Sequence, residues 1–370
     1  MNRALYAAFI LVALVGDARI FLFVMNRFVM GSHKEERSPW NWLMFVVPPL
    51  LLALTLKLYA FWLAIAAAVG LFWIMERLHA LQLAQIPLIG IRSAEPIVSR
   101  LRRAHVPFAF LRRLGAHNDL YDLEVTRHEI FIDDLPEAFD GYRIAFLTDP
   151  HVARFVRRDF YAEIHRQVAA QDPDVVLLGG DLVSFRRHIG YMGEAFLDGL
   201  AARDGMFAVL GNHDYWAGAE LVTETLRARG IELLTNRPVM LTRDGARLPL
   251  VGIDEVYRGR PDVAAAFANV DPAQPCIGIS HHPDIIDLLD GRRLDLLVCG
   301  HTHGGQIRFP FFGAVVVPSQ HEAQYASGFH RVRNVLLYVS RGIGAMPPVR
   351  ILCRPEVATF TLRRGGRQTS

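Results

Sequence analysis

The sequence predicts an α/β domain preceded by about three transmembrane helices, and three observations carry that reading. Apolar residues crowd into the chain before about residue 92, short apolar runs alternate with helical stretches after about residue 123, and metal-liganding residue types recur just past those runs. Of the 370 residues 52% are hydrophobic, more than an ordinary globular domain carries, and the excess lies in the first region. The expected organisation is a transmembrane region over residues 1–91, a basic juxtamembrane linker over 92–122 and a folded domain over 123–370.

The first span, residues 4–26, contains Asp17 and Arg19, each of which costs roughly 2.5–3.5 kcal/mol at mid-bilayer. An alternative reading is a signal peptide with Arg3 as its charged start, Ala4 to Gly16 as its apolar core and cleavage after Ala18. From Trp40 to Met75 a single charge, Lys57, divides the apolar run into two stretches of near-spanning length, which predicts a helical hairpin. Pro48 and Pro49 kink its first arm, and Trp40, Trp42, Trp62 and Trp73 lie where interfacial aromatics belong.

Basic residues cluster after the first span (Arg27, Lys34, Arg37) and after the third (Arg77 through Arg113), whereas Arg3 and Lys57 stand alone. The positive-inside rule then predicts a multi-pass protein of the inner or plasma membrane with its C-terminal domain in the cytoplasm. Between Arg92 and Arg113 the arginines interleave with apolar residues, a composition suited either to anionic headgroups or to a solvated linker. The net charge of +3 is too small to indicate nucleic acid as a partner. Cys276, Cys299 and Cys353 are few, odd in number and lack CxxC spacing, so they suggest neither a disulfide framework nor a thiolate zinc site.

In the second region, Arg143 to Thr148, Val175 to Leu178, Met206 to Leu210, Leu248 to Gly252, Cys276 to Ser280 and Leu294 to Cys299 are runs of strand length. Phe160 to Gln171 and Ala219 to Arg229 read as helices between them, and this alternation predicts strands covered by helices. Every candidate ligand falls just past a strand end, where open α/β sheets place their crevices. Asp149 and His151 follow the first run, Asp181 the second, Asn212 and His213 the third, His281 and His282 a later one, and His301 and His303 the last.

Singly, each has an ordinary role in a cap, turn or buried hydrogen bond. Together, five strand ends deliver carboxylates, imidazoles and one carboxamide without cysteine, a donor set suited to Mn²⁺, Fe or Zn²⁺. Arg341 to Gly344, after the strand-like Val335 to Ser340, either approaches the site or forms an ordinary turn, and the turn is slightly favoured.

In order, these blocks read D-x-H, G-D, G-N-H-D, H and G-H-x-H, and they resemble those of the calcineurin-like metallophosphoesterases. The resemblance covers roughly residues 123 to 363, and the combination is specific although single blocks are weak. The run Gly300 to Gln306, with a membrane-attached N-terminus, looks most like the branch that includes UDP-2,3-diacylglucosamine pyrophosphohydrolases.

The resemblance implies a four-layer α-β-β-α sandwich and a phosphohydrolase with two divalent metal ions, Mn²⁺ first among the candidates. It implies that Asp149, His151 and His303 hold one ion, that Asn212, His281 and His301 hold the other, and that Asp181 bridges both. His281 takes the ligand slot ahead of His282, which falls nearer the substrate. His213 is implied to be catalytic, stabilising developing charge or protonating the leaving oxygen. Many members carry a carboxylate three residues after the bridging aspartate, where this chain has Ser184, and that departure puts the holding of His213 in doubt. Pro150 replaces the commoner leucine.

The expected function is thus hydrolysis of a phosphate ester or pyrophosphate at a bilayer, with a nucleotide-linked lipid such as UDP-2,3-diacylglucosamine as the specific version. The alternatives are an inactive membrane scaffold of the same fold and a general phosphodiesterase acting on soluble substrates.

Overall fold

The computed structural model describes residues 3–24, 43–56, 60–83, 88, 90–101, 117–310, 312–314 and 316–365. The chain divides into two compact units, Met1–Pro87 with Phe309–Ala323, and Leu88–Arg308 with Gln324–Ser370.

The first unit holds helices α1 (Arg3–Val24), α2 (Leu43–Leu56) and α3 (Ala60–Leu83). Glycines set the α1–α3 contact: a Cβ on Gly16 would stand 1.8 Å from the Ala66 carbonyl oxygen, and one on Gly70 2.3 Å from that of Val12. Small residues of this kind let helix backbones approach where no side chain could intervene. The two charges that burden the first span are both partnered. Buried Asp17 accepts hydrogen bonds from the Thr55 hydroxyl and from Trp62 Nε1, the latter at 3.1 Å, and Arg19 pairs with Glu322 at 2.8 Å.

Three helices form where three spans are expected, but among the described residues only Ala7–Val24 is long and apolar enough to cross a membrane. The three-span expectation is corrected to one candidate span. Helix α2 has 14 residues, or about 21 Å at 1.5 Å per residue, against a hydrocarbon core of about 30 Å. The apolar part of α3 is confined to Trp62–Glu76. Arg27, Lys34, Arg37, Trp40, Trp42, Lys57 and the stretch 102–116, on which the orientation argument leans, lie outside the described residues.

The second unit is built on two sheets. Its strands in chain order are β1 (Ile91–Arg100), β2 (Asp122–Ile132), β3 (Arg143–Leu147), β4 (Val175–Leu178), β5 (Met206–Ala208), β6 (Ile231–Leu233), β7 (Arg237–Arg243), β8 (Ala246–Ile253), β9 (Ile277–Ser280) and β10 (Leu294–Cys299). After the short β11 (Arg308–Phe309) and β12 (Gly313–Ala314), of which Phe309 and β12 fall in the first unit, the second unit resumes with β13 (Gly328–Val332), β14 (Val335–Val339) and β15 (Glu356–Arg364). One sheet runs β1-β2-β15-β3-β4-β5-β6 and the other β13-β14-β10-β9-β8-β7. Strands β3 to β6 are mutually parallel, as are β8, β9, β10 and β14, so each set delivers its loops to one edge.

Period-two alternation sorts the core into layers. Ile144 and Phe146 of β3 and Val175 and Leu177 of β4 pack between the sheets against Leu248, Leu250, Ile277, Ile279 and Leu296. The intervening Ala145, Leu147, Val176 and Leu178 face the helices α4 (Arg158–Ala170) and α5 (Asn212–Arg227). On the far side, Val251, Ile253, Leu297 and Cys299 pack against Phe267, Ile285 and Leu289. The result is the α-β-β-α sandwich that the resemblance implies. Because both faces of each central strand are buried, the strands read in sequence as unbroken apolar runs.

Strand β1 occupies the start of the segment expected to be a linker. It pairs antiparallel with β2 at the sheet edge, and Pro96 falls in the irregularity between Ala94 and Ile97. Nearly all of its residues are exposed, so its sequence carries no core-facing alternation, and Pro at an edge bulge disguises it further.

Candidate metal centre

The C-terminal ends of the two parallel sets meet at one edge, and there the loops adopt conformations that side-chain-bearing residues avoid. Asp149, His151, Asp181, His301 and His303 all have positive φ, between 43° and 66°. Such backbone costs of order 1–3 kcal/mol per residue and persists where the surroundings over-determine it. The glycines of the motifs are steric requirements of the same packing. A Cβ on Gly211 would lie 2.2 Å from Asp181 Oδ1, and one on Gly300 would lie 2.2 Å from Asp149 Oδ2.

These loops bring all seven expected ligands together. Asp181 Oδ2 lies 3.5 Å from His151 Nε2 and 3.5 Å from His281 Nε2. Beside His151, the Nε2 of His303 stands 3.0 Å away and 3.6 Å from Asp149 Oδ1. Beside His281, the Nδ1 of His301 stands at 3.0 Å and Asn212 Oδ1 at 3.3 Å. Three overlapping donor groups result, Asp149-His151-His303, His151-Asp181-His213 and Asp181-His281-His301, with His151 and Asp181 each common to two of them.

Four of the seven are oriented from behind. His281 Nδ1 donates to the Gly179 carbonyl at 2.8 Å, which turns Nε2 to the cluster. Asp149 Oδ2 accepts from Thr148 Oγ1 at 2.7 Å and from the His301 N–H at 2.9 Å. The His213 N–H donates to Asp181 Oδ1 at 2.8 Å, which leaves Oδ2 between the clusters. Ser184 Oγ lies 2.8 Å from His151 Nδ1. The side chain at the position of the departure therefore meets His151 in this chain.

The electrostatics fit a cation pair. Burial pushes His151 and His303 down to about 3, the Asp149 and Asp181 carboxylates opposing it, so both imidazoles are neutral at working pH and can donate a lone pair. Burial pulls His281 down too, but the carboxylates of Asp181, Asp149 and Glu255 outweigh it and hold this imidazole up at about 10. Burial would raise Asp181, yet His281, His213 and His151 hold it well below the carboxylate range. Nitrogen and oxygen lone pairs converging at 3.0–3.6 Å around buried carboxylates call for positive charge, and the donor set suits hard to borderline divalent ions. The three cysteines are buried and unpaired, and none belongs to the clusters.

His213 is half-buried, with its ring edge-on to His151 at 4.7 Å and to Trp216 at 4.6 Å. His282, expected nearer the substrate, is fully buried instead. Its Nδ1 accepts from the Asp284 N–H at 3.1 Å and its ring lies 4.0 Å from that of His301, a position behind an imidazole of the cluster.

Two features lie outside the favoured sequence reading. The turn Arg341 to Gly344 is part of the site wall: Ile343 and Gly344 donate backbone hydrogen bonds to Thr148 and Asp149 at 3.0 and 2.7 Å, and Gly342 (φ 68°) leaves no room for a side chain beside Asp149. Arg350, fully buried, ties this wall together. It donates to the carbonyls of Arg341 and Gly342 at 2.7 and 3.1 Å and reaches His303 O at 3.4 Å. The only sequence signal for it is a lone arginine in the apolar stretch Met346–Cys353.

Overlapping carboxylate and imidazole donor groups joined through Asp181 at the strand ends of an α-β-β-α sandwich define a metallohydrolase. The chain belongs to the calcineurin-like phosphoesterases, whose family model matches residues 142–305. It is 34% identical over 247 residues to phosphodiesterase YaeI of Escherichia coli (strain K12), covering 65% of this chain and 88% of that one. The uncharacterized metallophosphoesterase YkuE of Bacillus subtilis (strain 168) is 27% identical over 263 residues, covering 69% and 90%. A Danio rerio protein named transmembrane protein with metallophosphoesterase domain is 30% identical over 271 residues, covering 69% of this chain and 61% of its own length. The chain is a metal-dependent phosphohydrolase, and its family uses a dinuclear divalent metal site.

Proposed function

We propose that the chain is a phosphodiester or pyrophosphate hydrolase acting at a membrane on a nucleotide-linked lipid, of which UDP-2,3-diacylglucosamine is the type. The observation that carries the hydrolytic core is Asp181 Oδ2, equidistant at 3.5 Å from the imidazoles of His151 and His281. In this reading Asp149, His151 and His303 hold one ion, Asn212, His281 and His301 the other, and Asp181 both. When bound, the two cations polarise the phosphoryl oxygens and acidify the attacking water. His213, half-exposed beside the first cluster, protonates the leaving oxygen or stabilises its charge. Trp216 and His151 fix its ring from two sides.

The apolar helix Ala7–Val24 supports membrane attachment, as does the name of the Danio rerio relative. Attachment to the inner or plasma membrane with the catalytic unit on the cytoplasmic face is part of the reading, which includes no nucleic acid. The name of the Escherichia coli relative supports a second reading, a general phosphodiesterase on soluble substrates.

The test is turnover by the full chain with Mn²⁺, Fe²⁺ or Zn²⁺ of a UDP-linked diacyl-sugar against bis(p-nitrophenyl) phosphate, with Asp181→Asn as control. Preference for the lipid, release of UMP, and loss of both activities in Asp181→Asn are expected. Equal or faster cleavage of the soluble diester decides for the second reading.

A further inference from the structure

We propose that the mouth of the metal centre is itself a membrane-docking surface, in which Phe155, Phe185 and Trp216 enter an anionic bilayer and neighbouring arginines hold its headgroups. These three side chains are 49%, 40% and 51% exposed, and among the described residues they are every exposed phenylalanine or tryptophan of the second unit. All three lie beyond the C-terminal ends of β3, β4 and β5: Phe155 and Phe185 on the loops that also carry Asp149 and Asp181, and Trp216 near the N-terminus of α5, which begins at Asn212.

They form one band. The rings of Phe155 and Phe185 flank that of His188 at 6.5 and 5.9 Å. A guanidinium nitrogen of Arg186 lies 2.5 Å from where a Gly218 Cβ would stand, which joins this pair to the start of α5, where Trp216 lies. Trp216 in turn touches His213 edge-on. Soluble monomers rarely leave apolar groups so contiguous without a partner.

Charge identifies the partner. Residues 154–159 and 185–188 contain five arginines against one carboxylate, Asp159, and all five arginines are exposed. Arg154 and Arg158 stack on Tyr191 at 5.3 and 5.2 Å and Arg187 on Phe185 at 5.0 Å, so the guanidinia are held outward at fixed places. Aromatic rings rimmed by arginine match the boundary of an anionic bilayer, where rings sit at headgroup depth and guanidinia pair with phosphates. Docked this way, the metal centre opens at the depth of a lipid phosphate. The proposal deepens the lipid-phosphate reading, but its readout needs no turnover.

The experiment reconstitutes the full chain in phosphatidylcholine vesicles with and without phosphatidylglycerol, carrying a fluorophore at Gly190→Cys beside the band or at Arg247→Cys at the opposite strand ends. The native cysteines are buried and do not compete for the label. A nitroxide-headgroup lipid should quench the Gly190→Cys label several-fold more than the Arg247→Cys label, and only with phosphatidylglycerol present. Adding Arg157→Glu with Arg187→Glu should abolish that difference while turnover of soluble bis(p-nitrophenyl) phosphate is unchanged. Equal quenching of the two labels, indifference to phosphatidylglycerol, or protection of the label by a single-stranded oligonucleotide in place of vesicles overturns the proposal. Failure of the lipid-substrate assay with quenching intact sinks only the substrate reading.

Discussion

At the scale of single residues, Ser184 tests whether the site is understood from its own contacts or only from its family. Its hydroxyl stands 2.8 Å from His151 Nδ1 and is the side-chain hydrogen-bond partner behind that imidazole. Groups that orient a metal-binding histidine typically contribute 10–100-fold to metal affinity or activity. Ser184→Ala should therefore lower turnover about 10-fold or more and weaken binding of one ion of two, read by metal titration, while leaving the His213 contacts with Trp216 in place. Unchanged metal affinity in Ser184→Ala would show that the hydroxyl is incidental. The expected ligands were legible in the sequence because each falls within four residues of the end of an apolar run of strand length, Asp149 two past Leu147 and His281 directly after Ser280. The roles of Ser184 and His282 were not, because which neighbour a side chain faces depends on loop dihedrals that no residue pattern encodes.

At the scale of elements, the turn after β14 is as much part of the site as the motif-bearing loops. A Cβ on Gly342 would stand 2.8 Å from Asp149 Cβ, and its φ of 68° disfavours any side chain. Gly342→Val should destabilise the second unit by about 1–3 kcal/mol, and the displaced Asp149 should reduce turnover more than the stability loss alone explains. Assays well below the melting temperature separate the two effects; full activity there would mean the wall tolerates movement that the packing denies. Central strands were readable because burial on both faces leaves unbroken apolar runs, as in Val175–Leu178. Edge strand β1 was not, since its exposed residues and Pro96 resemble a linker. Likewise α3 reads as a span by hydrophobicity, although its apolar part stops at Glu76.

At the scale of the whole molecule, the half-buried His128 and the buried Glu356 contribute to the response to acid without belonging to the donor groups. His128 on β2 lies among Phe329, Tyr338 and Phe360, with ring centroids 4.9, 5.4 and 5.7 Å away, and burial pushes it down to about 4. Burial would raise Glu356, but Arg341 and the Tyr338 hydroxyl, at 2.6 Å, outweigh it and hold the carboxyl at about 2. Both groups bind protons more weakly folded than unfolded, so both make acid destabilising. The contribution of His128 is complete above its ordinary value of 6.5 and is lost as pH falls from there to about 4. That of Glu356 is complete above 4.5 and is lost as pH falls toward about 2. Ligand imidazoles also release metal in this range, so the useful comparison is between variants kept metal-free with chelator. Without metal, His128→Phe should hold its melting temperature between pH 6.5 and 4 better than the parent chain, by about 5 °C for a unit of this size. Below pH 4 the two curves should run parallel, because Glu356 is common to both. Parallel curves across the whole range would mean that His128 is hydrated in solution and that the aromatic layer between the sheets admits water.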